Sequence, residues 1–168
     1  MPIPIIVCYF GDKLLPEAVV ATVVSMVPIS ITSTYLALMY AVMLTYLPFS
    51  MAMIYKSSIA TPNNVAPRKQ NEQLKVTHPA FARILAAESN MLEGFPFFAA
   101  AVLAANQAGV PSATTCMYAT FWLVVRAAFC IVYAIANNVL LSVLRSSLWA
   151  FSMMTVGKLF ALAIAAGN

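Results

Sequence analysis

Arg83, Asn90 and Glu93 stand seven and three residues apart in ARILAAESNMLEGFPFFAAA, a stretch otherwise apolar enough to enter a bilayer. At about 3.6 residues per turn they share one helical stripe with Phe97, while Glu88 points to a different side. A later apolar stretch carries Arg126 and Tyr133, again seven apart, and another opens on Arg145. Each ionised side chain at mid-membrane costs at least about 2.5–3.5 kcal/mol on insertion scales, so such groups need a reason to be there. Glu93 lies ten residues beyond Arg83, about 15 Å further in at 1.5 Å per residue. Arg126, on a segment running the opposite way, sits about as deep. The spacing therefore predicts that Glu93 and Arg126 pair at one level, with Asn90 and Tyr133 shallower and Arg145 near the surface. One such pair can simply fix helix register, because desolvation offsets the attraction. Three arginines against one facing carboxylate leave surplus positive charge, and that favours a slot for an anionic guest.

The elements that must position these groups are long and apolar. Of 168 residues, 62% are hydrophobic and 8% charged, with a mean hydropathy of +0.88. Soluble domains are about 45–50% apolar and about 25% charged, so a water-soluble domain is excluded. A transmembrane barrel would show short alternating segments instead of long blocks. Cys8, Cys116 and Cys130 have no paired spacing and read as free thiols, and with a single histidine, His78, no metal site is expected. The formal charge is only +4, and no nucleic-acid partner is expected. The N-terminus lacks the basic start of a signal peptide.

Apolar runs of about 20 residues, enough to span, fall at roughly 32–56, 80–106, 113–136 and 143–166. This is the pattern of an all-α integral membrane protein, a four-helix bundle over residues 32–166 behind an N-terminal segment 1–31. EAVVATVVSMVPIS at 17–30 is shorter and interrupted by Pro28, and reads as an extra helix or an extension of the first span. The 57–79 linker reads as a polar loop carrying Arg68, Lys69 and Lys75. By the positive-inside rule the first and third linkers are then cytoplasmic and both termini lie on the other side. Pro48 and Pro96 are expected to kink their spans. Lys158 reads as a snorkelling residue and His78 as a solvated loop residue.

R-x6-N-x2-E-x2-P-F at Arg83, Asn90, Glu93, Pro96 and Phe97 resembles the signature of the MAPEG family, the membrane-associated proteins of eicosanoid and glutathione metabolism. NNVAPR is similar to an N-x-x-PR turn of bacterial-type members, Arg126 and Tyr133 to the family's R-x6-Y, and Arg145-Ser146 to its RS element. The resemblance implies homotrimers of four-helix subunits with glutathione bound between neighbours near the cytoplasmic side. It implies that Arg83, Asn90, Glu93, Arg126 and Tyr133 contact or orient glutathione, with Arg126 pairing with Glu93. Arg145 would stabilise the thiolate and Ser146 assist, as an arginine beside a thiol favours the nucleophilic anion.

The chain departs from the pattern at Ala86, where eicosanoid-forming enzymes carry arginine, at Glu88, where His or Gln is usual, and at Phe129, where an aromatic hydroxyl is expected. The resemblance thus implies a transferase or peroxidase using glutathione as cosubstrate on lipophilic electrophiles or lipid hydroperoxides. The alternative is a non-enzymatic lipid-binding or scaffold member, like the family's five-lipoxygenase-activating protein. A small channel or transporter would explain the buried charges but not the Arg145-Ser146 placement. An endoplasmic-reticulum-type or other internal membrane is expected if the chain is eukaryotic, and the inner membrane if bacterial.

Overall fold

Residues 15–28 and 30–167 are described by a computed structural model, and every described element is helical. The helices are α1 (Glu17–Ser25), α2 (Thr34–Ile59), α3 (Pro67–Thr77), α4 (Pro79–Gln107), α5 (Ser112–Ile135) and α6 (Val139–Gly167). The four long ones, α2, α4, α5 and α6, fall within about four residues of the four apolar runs. Helix α4 runs without a break through Gly94 and Pro96, and α2 through Pro48.

Small residues decide which way these helices face. On α2 the buried stripe is Thr34, Ala37, Ala41, Thr45, Pro48, Ala52 and Lys56, whereas Tyr35, Met43, Tyr46 and Ile54 point outward and are exposed. Large apolar groups outside and small ones inside is the arrangement of a membrane helix, because small residues let backbones approach and lipid accepts the rest. Helix α5 is the most enclosed and packs against α1, α2, α4 and α6. At its centre Trp122 stacks on Phe98 of α4, ring centroids 4.0 Å apart. Helices α2, α5 and α6 are long and apolar enough to cross a membrane; α4 has the length, at 29 residues, but Arg83, Glu88 and Glu93 lower its apolarity.

The ends are set by local chemistry. Helix α4 stops in a Schellman turn: Gly109 takes a φ of 80°, its N–H bonds Asn106 O, and Val110 N–H reaches Ala105 O. Asn138 caps α6 by accepting the Leu141 N–H at 2.9 Å, which starts that helix at Val139 and not near 143. At the other end of α4–α5, Arg83 Nε donates to Ala134 O at 3.1 Å, placing a cation on the last turn of α5.

Of the two readings of the 17–30 run, the structure shows a separate short helix, α1, over Glu17–Ser25, with Val20 fully buried. One expectation needs amendment. The 57–79 linker is not a loop. Asn63 Oδ1 accepts the N–H groups of Val65 and Ala66, Pro67 occupies the first helical position, and α3 follows. Gln, Glu, Lys and Leu are good helix formers, and polarity alone hid this helix. It is tied down by Lys56, 3% exposed, whose Nζ donates to Asn71 Oδ1 at 2.9 Å. Cys116 and Cys130 are buried free thiols as expected; Cys8 lies outside the described residues.

Candidate functional site

Arg126 is the most consequential buried side chain. It is 0% exposed, and Nη1 donates to Asn90 Oδ1 at 2.7 Å. Its guanidinium carbon lies 5.4 Å from the Trp122 ring centroid and 5.2 Å from that of Phe129. Nε and Nη2 have no hydrogen-bond partner among the described residues. The two rings supply attraction worth about 2 kcal/mol or more when desolvated, which eases the burial of a charge lacking a carboxylate.

The expected Glu93–Arg126 ion pair is not formed. Glu93 is exposed, and among the described residues Lys75–Glu72 is the ion pair. Arg126 meets α4 one turn short of the expected contact, at Asn90, and on the other side of the helix from Glu93. From Asn90, position 93 is displaced about 60° one way around the helix and position 94 about 40° the other. Arg126 takes the second side because Gly94 has no side chain: a Cβ there would overlap Nη2 and lie 2.9 Å from the guanidinium carbon. Glycine opens the seat, and Glu93 is left on the outer wall.

Two cavities share Asn90 and Tyr133. The smaller, about 210 Å³, is lined by Asn90, Phe129, Tyr133, Arg145, Ser146 and Trp149. In it the Arg145 guanidinium carbon sits 4.5 Å from the Tyr133 ring centroid, and Phe129 meets Tyr133 edge-on at 5.3 Å. Ser146 Oγ donates to Ser142 O at 3.0 Å. The larger cavity, about 680 Å³, lies between α4 and α3, with Glu88, Glu93 and Ala86 on one side and Arg68, Asn71, Glu72 and Lys75 on the other. Small-molecule sites run about 300–1,000 Å³, so the larger cavity has room for a ligand body and the smaller only for one group of it.

Four of the seven residues singled out, Asn90, Tyr133, Arg145 and Ser146, therefore meet in one small cavity, and Glu93 joins Asn90 and Tyr133 in the larger one. Arg126 lines neither cavity and lies behind both, against Asn90 and, at the smaller one, the Phe129 ring; Arg83 is engaged with the end of α5. Sequence reasoning missed the α3 wall and the Gly94 seat. The Pro67-Arg68 turn was a signal for the first, and glycine four residues after Asn90 for the second.

These features define a class: an integral membrane protein of long apolar helices around a polar cleft whose wall carries an arginine on a tyrosine ring. The MAPEG family model matches residues 33–165, most of the chain, and the protein belongs to the MAPEG family. No curated protein and no solved structure matches it.

Proposed function

We propose that the protein is a glutathione-dependent transferase or peroxidase acting on lipophilic electrophiles from within the membrane. The observation that carries this reading is the small cavity where Arg145, Tyr133, Asn90 and Ser146 converge beside a larger one. In this reading the tripeptide body occupies the larger cavity, where Arg68 and Lys75 offer cations to its carboxylates and Glu93 or Glu88 an anion to its ammonium. Arg145 faces the thiol and favours its ionised form. In conjugation the thiolate sulfur attacks the electrophilic carbon, a carbon–sulfur bond forms, and a carbon–halogen bond breaks with release of halide. In peroxide reduction two thiols give one disulfide while the hydroperoxide becomes an alcohol and water.

Membership of the family supports further parts of the same reading. Helix α4 serves as a fourth span, its charges turned to the cleft and to α5. The basic linkers, and with them α3, lie on the cytoplasmic side. Three subunits assemble, and the exposed apolar face of α2 lies against lipid or a neighbour, leaving the acceptor a lateral route from the bilayer.

A second reading, a non-enzymatic lipid-binding member, draws on Glu88 and Ala86 in the larger cavity, where an added acid and a missing arginine weaken the hold on an anionic tripeptide. Turnover of a chlorinated aromatic or a lipid hydroperoxide by the purified protein decides between them. The enzyme reading expects glutathione-dependent product that Arg145→Ala abolishes. Product formation unchanged by that substitution contradicts the role given to Arg145, and no product with no heat of glutathione binding favours the second reading.

A further inference from the structure

Asn90 has two jobs at once, since it lines both cavities and accepts the 2.7 Å bond from Arg126. A guanidinium has five N–H donors and no acceptor, so the Asn90 atom that meets it is the carbonyl oxygen, never the amide nitrogen. That leaves the N–H2 end for the cavities; it makes no hydrogen bond among the described residues and is not enclosed. The lock is itself held from behind. Trp122 and Phe129 hold the guanidinium in place, and on α4 only the bare Cα of Gly94 makes room for it. Any side chain at 94 would displace a group that, fully buried, has no solvent to swing into.

We propose that Arg126, seated on Gly94, is a positioning residue that fixes the Asn90 amide as a donor, so that the wall common to both cavities selects a carboxylate or carbonyl oxygen over an ammonium. The inference rests on the reading of the cleft as a glutathione site, and it deepens that reading by assigning Arg126 no ligand contact of its own. Its consequence is unusual for a near-isosteric change. Asn90→Asp gives Arg126 a carboxylate partner in place of an amide, and in the same step turns the cavity face from donor to acceptor.

The test measures glutathione binding by calorimetry and thermal unfolding in detergent for wild type and Asn90→Asp. The expected result is affinity weaker by about tenfold to a hundredfold, the loss of a hydrogen bond to a charged group, with a melting temperature equal to or above wild type. Unchanged affinity overturns the proposal. Should Asn90→Asp not fold, Gly94→Ala decides, made alone and with Arg126→Met. Gly94→Ala should weaken binding at least several-fold while Arg126 is present and add nothing once it is gone; an equal loss in both backgrounds overturns the lock. If wild type binds no glutathione, the functional reading fails, and the lock is judged by melting temperature alone. Gly94→Ala must then lower it only in the presence of Arg126, and an equal drop in both backgrounds refutes it.

Discussion

Replacing Asn90 by alanine should be costly only while Arg126 is there to need it. Arg126 is 0% exposed, with one hydrogen bond of 2.7 Å to Asn90 and, among the described residues, two nitrogen sites unpartnered. Asn90→Ala removes the remaining acceptor of a buried cation, a loss of about 2–3 kcal/mol. Arg126→Met is expected to be milder. It forfeits the same hydrogen bond and ring attraction of about 2 kcal/mol, but it also removes a charge whose burial costs at least about 2.5–3.5 kcal/mol. The balance leaves a net cost of about 1 kcal/mol. In the Arg126→Met background Asn90→Ala should then cost no more than about 0.5 kcal/mol, giving a coupling near 2 kcal/mol in the double-mutant cycle. The assay is reversible unfolding in mixed micelles, titrated with a denaturing detergent. If Asn90→Ala costs the same in both backgrounds, the bond is not what holds the arginine, and the reasoning about this buried charge is wrong.

Two further outcomes follow from the same geometry. Asn71→Ala strips the acceptor from Lys56, which is 3% exposed and bonded to Asn71 at 2.9 Å. Amide hydrogen exchange across residues 67–77 should quicken while that of α5 stays unchanged; exchange unaltered in α3 would show that this bond does not anchor it. Single cysteines at Asn64, Gly109 and Asn137, in a background with Cys8, Cys116 and Cys130 replaced, report whether α4 crosses the membrane. A membrane-impermeant thiol reagent should label positions 64 and 137 from one side and 109 from the other, and labelling of 64 and 109 from the same side removes the fourth span.

Much of the fold was legible because apolar length is a strong signal. The runs at 32–56 and 113–136 became α2 and α5 with ends moved by only a few residues. Helix α3 was not legible by that signal. PRKQNEQLKVT has almost no apolar face, and its placement depends on Lys56 and on the Asn63 turn, neither of which leaves a periodic trace. The candidate site was legible in its residues and illegible in how they pair around the helix. Counting residues put Arg126 level with Glu93 and Asn90 shallower, but attraction between opposite charges was weighed above the space a glycine leaves, and Arg126 meets Asn90 instead. Van der Waals room around Gly94 decided the contact, and the charge went without its acid. Arg145 lines the small cavity, packed on Tyr133 at 4.5 Å.

The central claim is that this cleft takes up glutathione with its thiol beside Arg145 and ionises it. Ultraviolet absorbance of the thiolate, followed as glutathione is added to the protein near neutral pH, measures that step without any acceptor substrate. The account predicts saturable thiolate absorbance in the wild-type protein and its loss in Arg145→Ala. No absorbance change at millimolar glutathione, or an equal change in both proteins, would contradict it.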